Sequence, residues 1–321
     1  MRNLSSSFVK LRKFLDISVR LTITVLALYW VLSKADISKV ITLLSSMNPF
    51  PAFLAVFSVF LGLSLSGLRW YIFLQPKIIT PLGAIFVTLG AIFYGMFLPA
   101  GAGVDLIRGL YVGVKSGSKS QSFASVFIDR MVGFLALLSL ALAALILGSK
   151  TMRHIGIFIL LGFVLSLFSS VIILSRRLRK LGIRVLGKIK VFHLGEKLSR
   201  FLLAFDHYRE NPKTLIVGFF LSLMIQLFLG LSAYLLALAL NLLKFSLDMK
   251  FFKTVVYTSL VNLITMLPIS LGGLGVREGG FVYLMGPYVG VEGAISISLL
   301  YYFANILASL PGLFFIWKRR V

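Results

Sequence analysis

Long apolar runs, separated by short polar or basic stretches, dominate the hydrophobic pattern of the chain. Eight of them are close to or above the length that crosses the roughly 30 Å hydrocarbon core of a bilayer as an α-helix. The runs are residues 17–33, 52–68, 83–98, 131–148, 155–174, 214–240, 251–267 and 294–317. The first run ends in an aromatic and basic anchor, which favours a retained span over a cleaved signal. The pattern predicts an all-α polytopic membrane protein.

Two of the runs end in the same unusual motif, 169 positions apart. In each copy a Leu-Pro pair is followed by glycine and then by arginine, and a looser apolar stretch comes next, at 104–114 and 279–290. The defining positions are Pro99, Gly103 and Arg108 in the first copy and Pro268, Gly272 and Arg277 in the second. Irregular backbone persists at membrane depth only inside protein or beside a wet cavity. Paired interrupted segments of this kind point to a transport site.

The basic residues indicate how the interrupted segments cross. If all eight runs cross fully, 18 of the 33 lysines and arginines fall outside, against the positive-inside rule. If each interrupted segment turns back, 25 of the 33 lie on the cytoplasmic side. The sequence therefore predicts about six full spans and two re-entrant hairpins, 83–114 opening from the cytoplasm and 253–290 from the outside. Opposite openings are typical of an inverted repeat.

This topology predicts a single transmembrane domain, 1–321, in the cell (plasma) membrane, with both termini in the cytoplasm. Its halves, 1–174 and 214–321, are joined by a basic linker, 175–213. The linker has 11 lysines and arginines, with apolar residues at three- and four-residue steps, which predicts an amphipathic interfacial helix or helix pair. Such a segment either lets acidic lipid recruit or regulate the protein, or is a basic linker that only sets orientation.

Composition narrows the chemistry. The chain has no cysteine, and its three histidines fall in predicted loops, so no metal site is expected. The net charge is +23, and the lysines and arginines that produce it lie between apolar spans. The positive-inside rule and contacts with anionic lipid headgroups explain their positions, so nucleic acid is not expected as a partner. No nucleotide-binding or hydrolytic motif occurs with the flanking strands and helices that it needs to function. No cofactor is therefore expected, and enzymatic activity is not indicated.

The two interrupted motifs supply the candidate site. In both, glycines precede a short helix, whose free N–H groups and positive dipole end suit an anion such as phosphate. Arg108 or Arg277 would add a charge-assisted contact. The predicted headgroup-binding residues are Gly103, Asp105, Arg108, Gly272, Gly273, Gly275, Arg277 and Glu278, with Pro99 and Pro268 as turn residues. The alternative is local pairing of Arg108 with Asp105, and pairing of Arg277 with its neighbour Glu278 or with a residue across the bundle.

Four further polar residues are candidate supports for this site. Arg69 follows the second apolar run, and Asp129-Arg130 precedes the fourth. Anchoring at the membrane interface explains these charges, and a contact with the first hairpin is the alternative, because all lie on one predicted side. Asn262, on the helix before the second motif, suits either the site or an interhelical hydrogen bond.

The motifs LPAGAGVDLIR and LPISLGGLGVRE, with Arg69-Trp70 and Asp129-Arg130, resemble the transmembrane region of lysylphosphatidylglycerol synthases, a family also called flippase-like. The resemblance covers essentially the whole chain. Its second motif is the more specific, since the first has Ala102 where a second glycine is commoner. In full-length relatives a soluble aminoacyltransferase domain follows a membrane region that moves the modified lipid between leaflets. This chain ends at Val321 without such a domain, so the resemblance implies the flippase-like module and not lysyl transfer.

Three hypotheses follow. The leading one is a lipid translocase-like protein that holds an anionic phospholipid or lipid-phosphate headgroup between the two hairpins. The second is a membrane enzyme or enzyme subunit that modifies a lipid or polyprenyl phosphate, with Asp105 or Glu278 as base. The third is a scaffold whose basic linker docks a separate lipid synthase or glycosyltransferase.

Overall fold

Helices form all the regular secondary structure in the residues that the computed structural model describes, 21–97, 103–146, 156–175, 205–266 and 270–318. In chain order they are α1 (Leu21–Leu32), α2 (Ile37–Ser45), α3 (Pro49–Phe73), α4 (Pro81–Phe97), α5 (Gly103–Ser116), α6 (Lys119–Ile146), α7 (Gly156–Leu174), α8 (Asp206–Glu210), α9 (Pro212–Ala239), α10 (Met249–Thr265), α11 (Val276–Val289) and α12 (Val291–Lys318). A 3₁₀ turn, Leu271–Gly273, lies between α10 and α11. The all-α class predicted from the apolar pattern is confirmed for these residues.

Within the described residues, four helices are long and apolar enough to cross a membrane: α3, α6, α9 and α12. The shortest of them, α3, has 25 residues and is about 38 Å long at 1.5 Å per residue. Helices α1 and α2 are long and apolar enough to cross a membrane only when taken together, and they are bent by 83° relative to each other. Helices α4 and α7 are apolar but shorter. The protein is thus a multi-pass membrane protein, and helix length supports four or five crossings where six were predicted.

Local sequence explains where two helices of the bundle begin. The side chain of Asn48 accepts a hydrogen bond from the backbone N–H of Phe50, and Pro49 occupies the first position of α3. Asp248 caps α10 in the same way, through the backbone N–H of Lys250. These side chains satisfy N–H groups that have no partner within the helix, and proline at the first position has no N–H to satisfy.

Helix α6 begins earlier than its apolar run predicts. The run begins at residue 131, whereas the helix begins at Lys119. Ser122 is buried there, and its hydroxyl donates to the carbonyl of Gly109 at 2.7 Å. A polar side chain can be buried in a helix when it hydrogen-bonds to a backbone carbonyl nearby. Because such residues lower the local hydropathy, the first turns of α6 look like a loop in the hydropathy pattern. As a result, Asp129 lies well inside the helix and not at its start.

The helices form two similar units, α3–α6 and α9–α12. Their lengths in order are 25, 17, 14 and 28 residues in the first unit and 28, 17, 14 and 28 in the second. Neighbours pack in the same way within each unit, and the contacts of α3 with α12 are matched by those of α9 with α6. This exchange is the pattern of a two-fold repeat. The first unit lies within the predicted half 1–174, and the second begins at Pro212, two residues before the predicted half 214–321. Helices α1, α2, α7 and α8 belong to neither unit.

Small residues let the central helices approach closely. Helices α3 and α9 form the most extensive contact in the described structure, and the hydroxyl of Ser58 donates to the carbonyl of Phe228 across it at 2.7 Å. Where α4 crosses α12, Gly312 faces the backbone of Gly90 with no room for a Cβ. Close backbone packing of this kind stabilises helix association where lipid removes the hydrophobic driving force.

Most of the predicted amphipathic linker, residues 176–204, lies outside the described residues. At its end, Phe205 is fully buried and packs against Phe73 and Tyr208. The hydroxyl of Tyr208 donates to the carbonyl of Phe73 at 2.6 Å. This part of the linker therefore docks on the bundle at the end of α3.

Candidate functional site

The first interrupted motif lies between α4 and α5. Residues 98–102, including Pro99, lie outside the described residues, and α5 begins at Gly103. A Cβ on Gly95 would lie 2.7 Å from the Cγ2 of Val104, so the end of α4 and the start of α5 pack against each other. The part of the motif that lies in α5 therefore begins directly beside the end of α4.

Asp129 is the centre of a buried ion-pair cluster. Arg69 donates from Nε to Oδ1 at 2.7 Å and from Nη2 to Oδ2 at 3.1 Å, and Arg108 donates from Nη1 to Oδ2 at 3.2 Å. Arg69 also donates from Nη1 to the hydroxyl of Ser222 at 2.8 Å, and Arg108 from Nη2 to that of Ser66 at 3.3 Å. The Nε of Arg108 has no hydrogen-bond partner among the described residues. All three charged residues are buried, and Asp129 is 1% exposed. The cluster ties together α3, α5, α6 and α9, and its hydrogen bonds offset the loss of water around each charge.

A second, half-buried ion pair lies beside this cluster. The Nε of Arg130 is 2.8 Å from both carboxylate oxygens of Asp105. The local pair of Arg108 with Asp105, which the sequence left open, is therefore replaced by two pairs between α5 and α6. The alternative charged contact between the first motif and Asp129-Arg130 is present.

Two neighbours shape the arginine positions of the cluster. The guanidinium of Arg108 lies 5.5 Å from the ring centroid of Trp70, whose indole N–H donates to the hydroxyl of Ser125 at 3.3 Å. Gly133 leaves space for Arg69, since a Cβ there would lie 3.1 Å from Nη1. Contact of a cation with an aromatic face adds attraction where water is excluded.

In the second motif, glycines form a tight turn before α11. Residues 267–269, including Pro268, lie outside the described residues. Gly272, Gly273 and Gly275 have φ values of +60°, +77° and +79°, which only glycine adopts without strain. Gly275 also packs against α1, because a Cβ there would lie 2.5 Å from the Cβ of Ala27. The turn therefore needs glycine for both conformation and space.

Glu278 caps its own helix. One carboxylate oxygen accepts a hydrogen bond from the backbone N–H of Gly275, and the other accepts one from the hydroxyl of Ser298 at 3.1 Å. The predicted local pair of Arg277 with Glu278 is not among the ion pairs of the described residues. The sequence predicts that the free N–H groups at the start of α11 bind an anion. The carboxylate of Glu278 already accepts a hydrogen bond from one of the N–H groups there.

Arg277 differs from the other arginines of the two motifs and their supports in its hydrogen-bond partner, which is a backbone carbonyl. Its Nη2 donates to the carbonyl of Gly272 at 2.7 Å, and its guanidinium lies 4.5 Å from the ring centroid of Tyr302. The side chain is buried, with 8% exposed, and Nη1 has no hydrogen-bond partner. Within the described residues, Arg277 pairs with no carboxylate.

Asn262 makes the interhelical hydrogen bond that the sequence left as one alternative. Its side-chain amide and the hydroxyl of Tyr301 exchange hydrogen bonds of 3.1 and 3.3 Å between α10 and α12. The side chain of Asn305 donates to the carbonyl of Tyr301 at 2.7 Å. These residues also line a cavity.

One cavity of about 290 Å³ joins the two motifs. The predicted site and support residues that line it are Arg69, Arg108, Asp129, Arg130, Asn262, Gly272, Gly273 and Arg277. Four other predicted residues, Gly103, Asp105, Gly275 and Glu278, do not line it. Four arginines against one carboxylate make the lining cationic. No group of three His, Asp or Glu side chains that could hold a metal ion occurs in the described part of the chain.

Some lining residues were not predicted. Gln226 lines the cavity from α9 and is buried, and its Oε1 has no hydrogen-bond partner among the described residues. Ser222, one turn earlier, does not line the cavity but accepts a hydrogen bond from Arg69. Two polar residues four positions apart in a long apolar run are the signal that marks a buried polar stripe. Tyr301 and Tyr302 carried no such signal, because tyrosine is common at membrane interfaces.

Fold and cavity together define a class, the multi-pass helical membrane proteins built from two similar units around an internal cationic cavity. Residues 17–312 match the family described as the lysylphosphatidylglycerol synthase TM region, and the chain belongs to that family. The resemblance drawn from the two motifs is thereby confirmed. A comparison with curated proteins returned no match.

Proposed function

We propose that the protein is a lipid translocase-like protein of the cell (plasma) membrane that holds an anionic phospholipid or lipid-phosphate headgroup in its cavity. The observation that carries this proposal is that Arg108 of the first motif and Arg277 of the second line the same cavity of about 290 Å³. A cationic cavity within an apolar bundle can hold a charged headgroup while the acyl chains stay in lipid. Charges inside a membrane commonly mark a substrate pathway.

The repeat suggests how the cavity opens. In our proposal, the two interrupted motifs are re-entrant hairpins that face opposite leaflets and act as gates, with both termini in the cytoplasm. The matched units α3–α6 and α9–α12 support this, because inverted repeats place a site between equivalent broken helices. A lipid gradient, another ion or the membrane potential would drive movement; the potential contributes about 2.3 kcal/mol per charge at 100 mV.

The geometry favours transport over group transfer. The two carboxylates considered as bases, Asp105 and Glu278, do not line the cavity. Asp105 is paired with Arg130, and Glu278 accepts hydrogen bonds from Gly275 and Ser298.

The test is lipid scrambling by the purified protein in liposomes that contain labelled phosphatidylglycerol. We expect the double variant Arg108→Ala, Arg277→Ala to be at least about tenfold slower than the wild type, because the loss of even one charge-assisted contact to the headgroup costs about 1.5–3 kcal/mol. Arg209→Gln, an exposed arginine of α8, is the matched control and should keep the wild-type rate. Circular dichroism would confirm that all proteins are helical. Equal rates in the wild type and the double variant would refute the proposal.

A further inference from the structure

We infer that Arg277 is the anion-binding residue of the cavity and takes a phosphate oxygen, whereas Arg69 and Arg108 are held by Asp129 and position the bundle. The inference rests on the proposed function for the source of that phosphate, a lipid headgroup. The shared chemistry is a phosphate monoester or diester, whether it belongs to a lipid or to a soluble ion.

The first line of support is the pairing of the cavity arginines. Arg69 and Arg108 both pair with Asp129, and Arg130 pairs with Asp105. Arg277 is buried to a similar degree yet has no carboxylate partner in the described residues. An isolated buried cation is strongly unfavourable, so a bound anion would compensate this charge best.

The second line of support is the difference between the two repeats. Helices α6 and α12 both have 28 residues, and Asp129 is the eleventh residue of α6. The eleventh residue of α12 is Tyr301, and the 169-residue spacing of the two motifs places Ser298 opposite Asp129 instead. In either register a neutral hydroxyl stands where the first repeat has its carboxylate. The second repeat thus keeps the arginine but has no carboxylate that pairs with it directly, because the adjacent Glu278 is bonded to Gly275 and Ser298 instead.

The third line of support is the donor capacity of Arg277. A guanidinium has five N–H donors in a planar fork that matches two phosphate oxygens. Arg277 gives one hydrogen bond, to Gly272, and rests its face on Tyr302, which leaves Nη1 unpaired. The carbonyl and the ring hold the guanidinium in place without neutralising its charge. This arrangement is suited to an anion that enters and leaves.

The experiment measures ligand-induced stabilisation of the full chain in neutral detergent by thermal unfolding, with dioleoylphosphatidylglycerol and inorganic phosphate as separate probes. A ligand that binds the folded state raises the melting temperature according to its concentration and dissociation constant. For Arg277→Gln we expect binding to be weaker by at least about tenfold, the loss of one charge-assisted contact. Arg277→Lys keeps the charge but loses the fork, and should bind more weakly than the wild type and more tightly than Arg277→Gln. Arg209→Gln should bind as the wild type does.

Stability without ligand separates a binding role from a structural one. Because Arg277→Gln removes a buried charge that pairs with no carboxylate among the described residues, we expect this variant to be at least as stable as the wild type when no anion is present. Stabilisation by both probes would mean that the site accepts any phosphate, and stabilisation by the lipid alone would assign it to a headgroup; either result supports the inference. Unchanged affinity in both Arg277 variants, or a loss of stability with unchanged affinity, would overturn it. Binding through Arg277 without scrambling would refute the proposed function and leave this inference standing.

Discussion

At the scale of single residues, Asp129 decides how the positive charges of the cavity are arranged. Its two oxygens receive three hydrogen bonds from Arg69 and Arg108, which reach it from α3 and α5. A buried ion cluster of this kind adds little net stability over a well-packed apolar core, but removal of one member leaves the others without compensation. The role of Asp129 is therefore to permit two arginines to be buried side by side.

Loss of this carboxylate should be far more damaging than loss of its neighbour. We expect Asp129→Asn to lower the free energy of unfolding by about 3–5 kcal/mol, because Arg69 and Arg108 would be buried without a counter-ion. Asp105→Asn is the matched control and should cost clearly less, since its pair with Arg130 is about one-quarter exposed and water can reach the arginine that remains. Denaturant titration in mixed micelles measures both, and equal losses in the two variants would contradict this account.

At the scale of helices, close crossings hold the bundle together, both between the two units and within one of them. Gly312 of α12 faces the backbone of Gly90 in α4, and Gly230 of α9 faces the backbone of Val255 in α10. A side chain at such a position meets backbone, which cannot move aside as a flexible side chain can. These contacts bring the helices that line the cavity within reach of one another.

A single methyl group at the α4–α12 crossing should separate the helices. We expect Gly312→Ala to lower the free energy of unfolding by about 1–3 kcal/mol, the usual range for overpacking. Gly286→Ala in α11 is the matched control: the nearest atom to its Cβ would be a side-chain carbon at 4.0 Å, and alanine favours the helix by up to about 1 kcal/mol. If Gly312→Ala proved as stable as Gly286→Ala in the same denaturant titration, the crossing would not be a tight contact.

The sequence predicts the helices better than it predicts the contacts between them. Apolar length located α3, α9 and α12, and the Pro/Gly breaks separated α4 from α5 and α10 from α11. The pairing of Arg69 with Asp129 could not be predicted, because the two residues are 60 positions apart and hydropathy does not report which helices meet. The same pattern also placed Asp129 at a helix start, since the polar residues before it resemble a loop.

At the scale of the whole molecule, two units of similar architecture carry different chemistry. The contacts of α3–α6 are matched by those of α9–α12, yet the arginine of one motif is paired with a carboxylate and that of the other is not. In our proposal, this symmetric scaffold with its asymmetric lining opens in two related ways around one binding residue, Arg277. The orientation of the units in the membrane then decides whether these openings face opposite leaflets.

Cysteine labelling tests that orientation, because the chain has no cysteine of its own. Lys77 and Lys119 flank the first interrupted helix pair, and Lys250 and Glu292 flank the second, all at exposed or half-exposed positions. The arrangement with two re-entrant hairpins places 25 of the 33 lysines and arginines on the cytoplasmic side, as the positive-inside rule requires. We therefore expect single cysteines at Lys77 and Lys119 to react with an impermeant maleimide only from the cytoplasmic side. Those at the second two should react only from the outside. Labelling of the first two from opposite faces would make α4 and α5 one broken span, and labelling of all four from one face would make the repeat parallel.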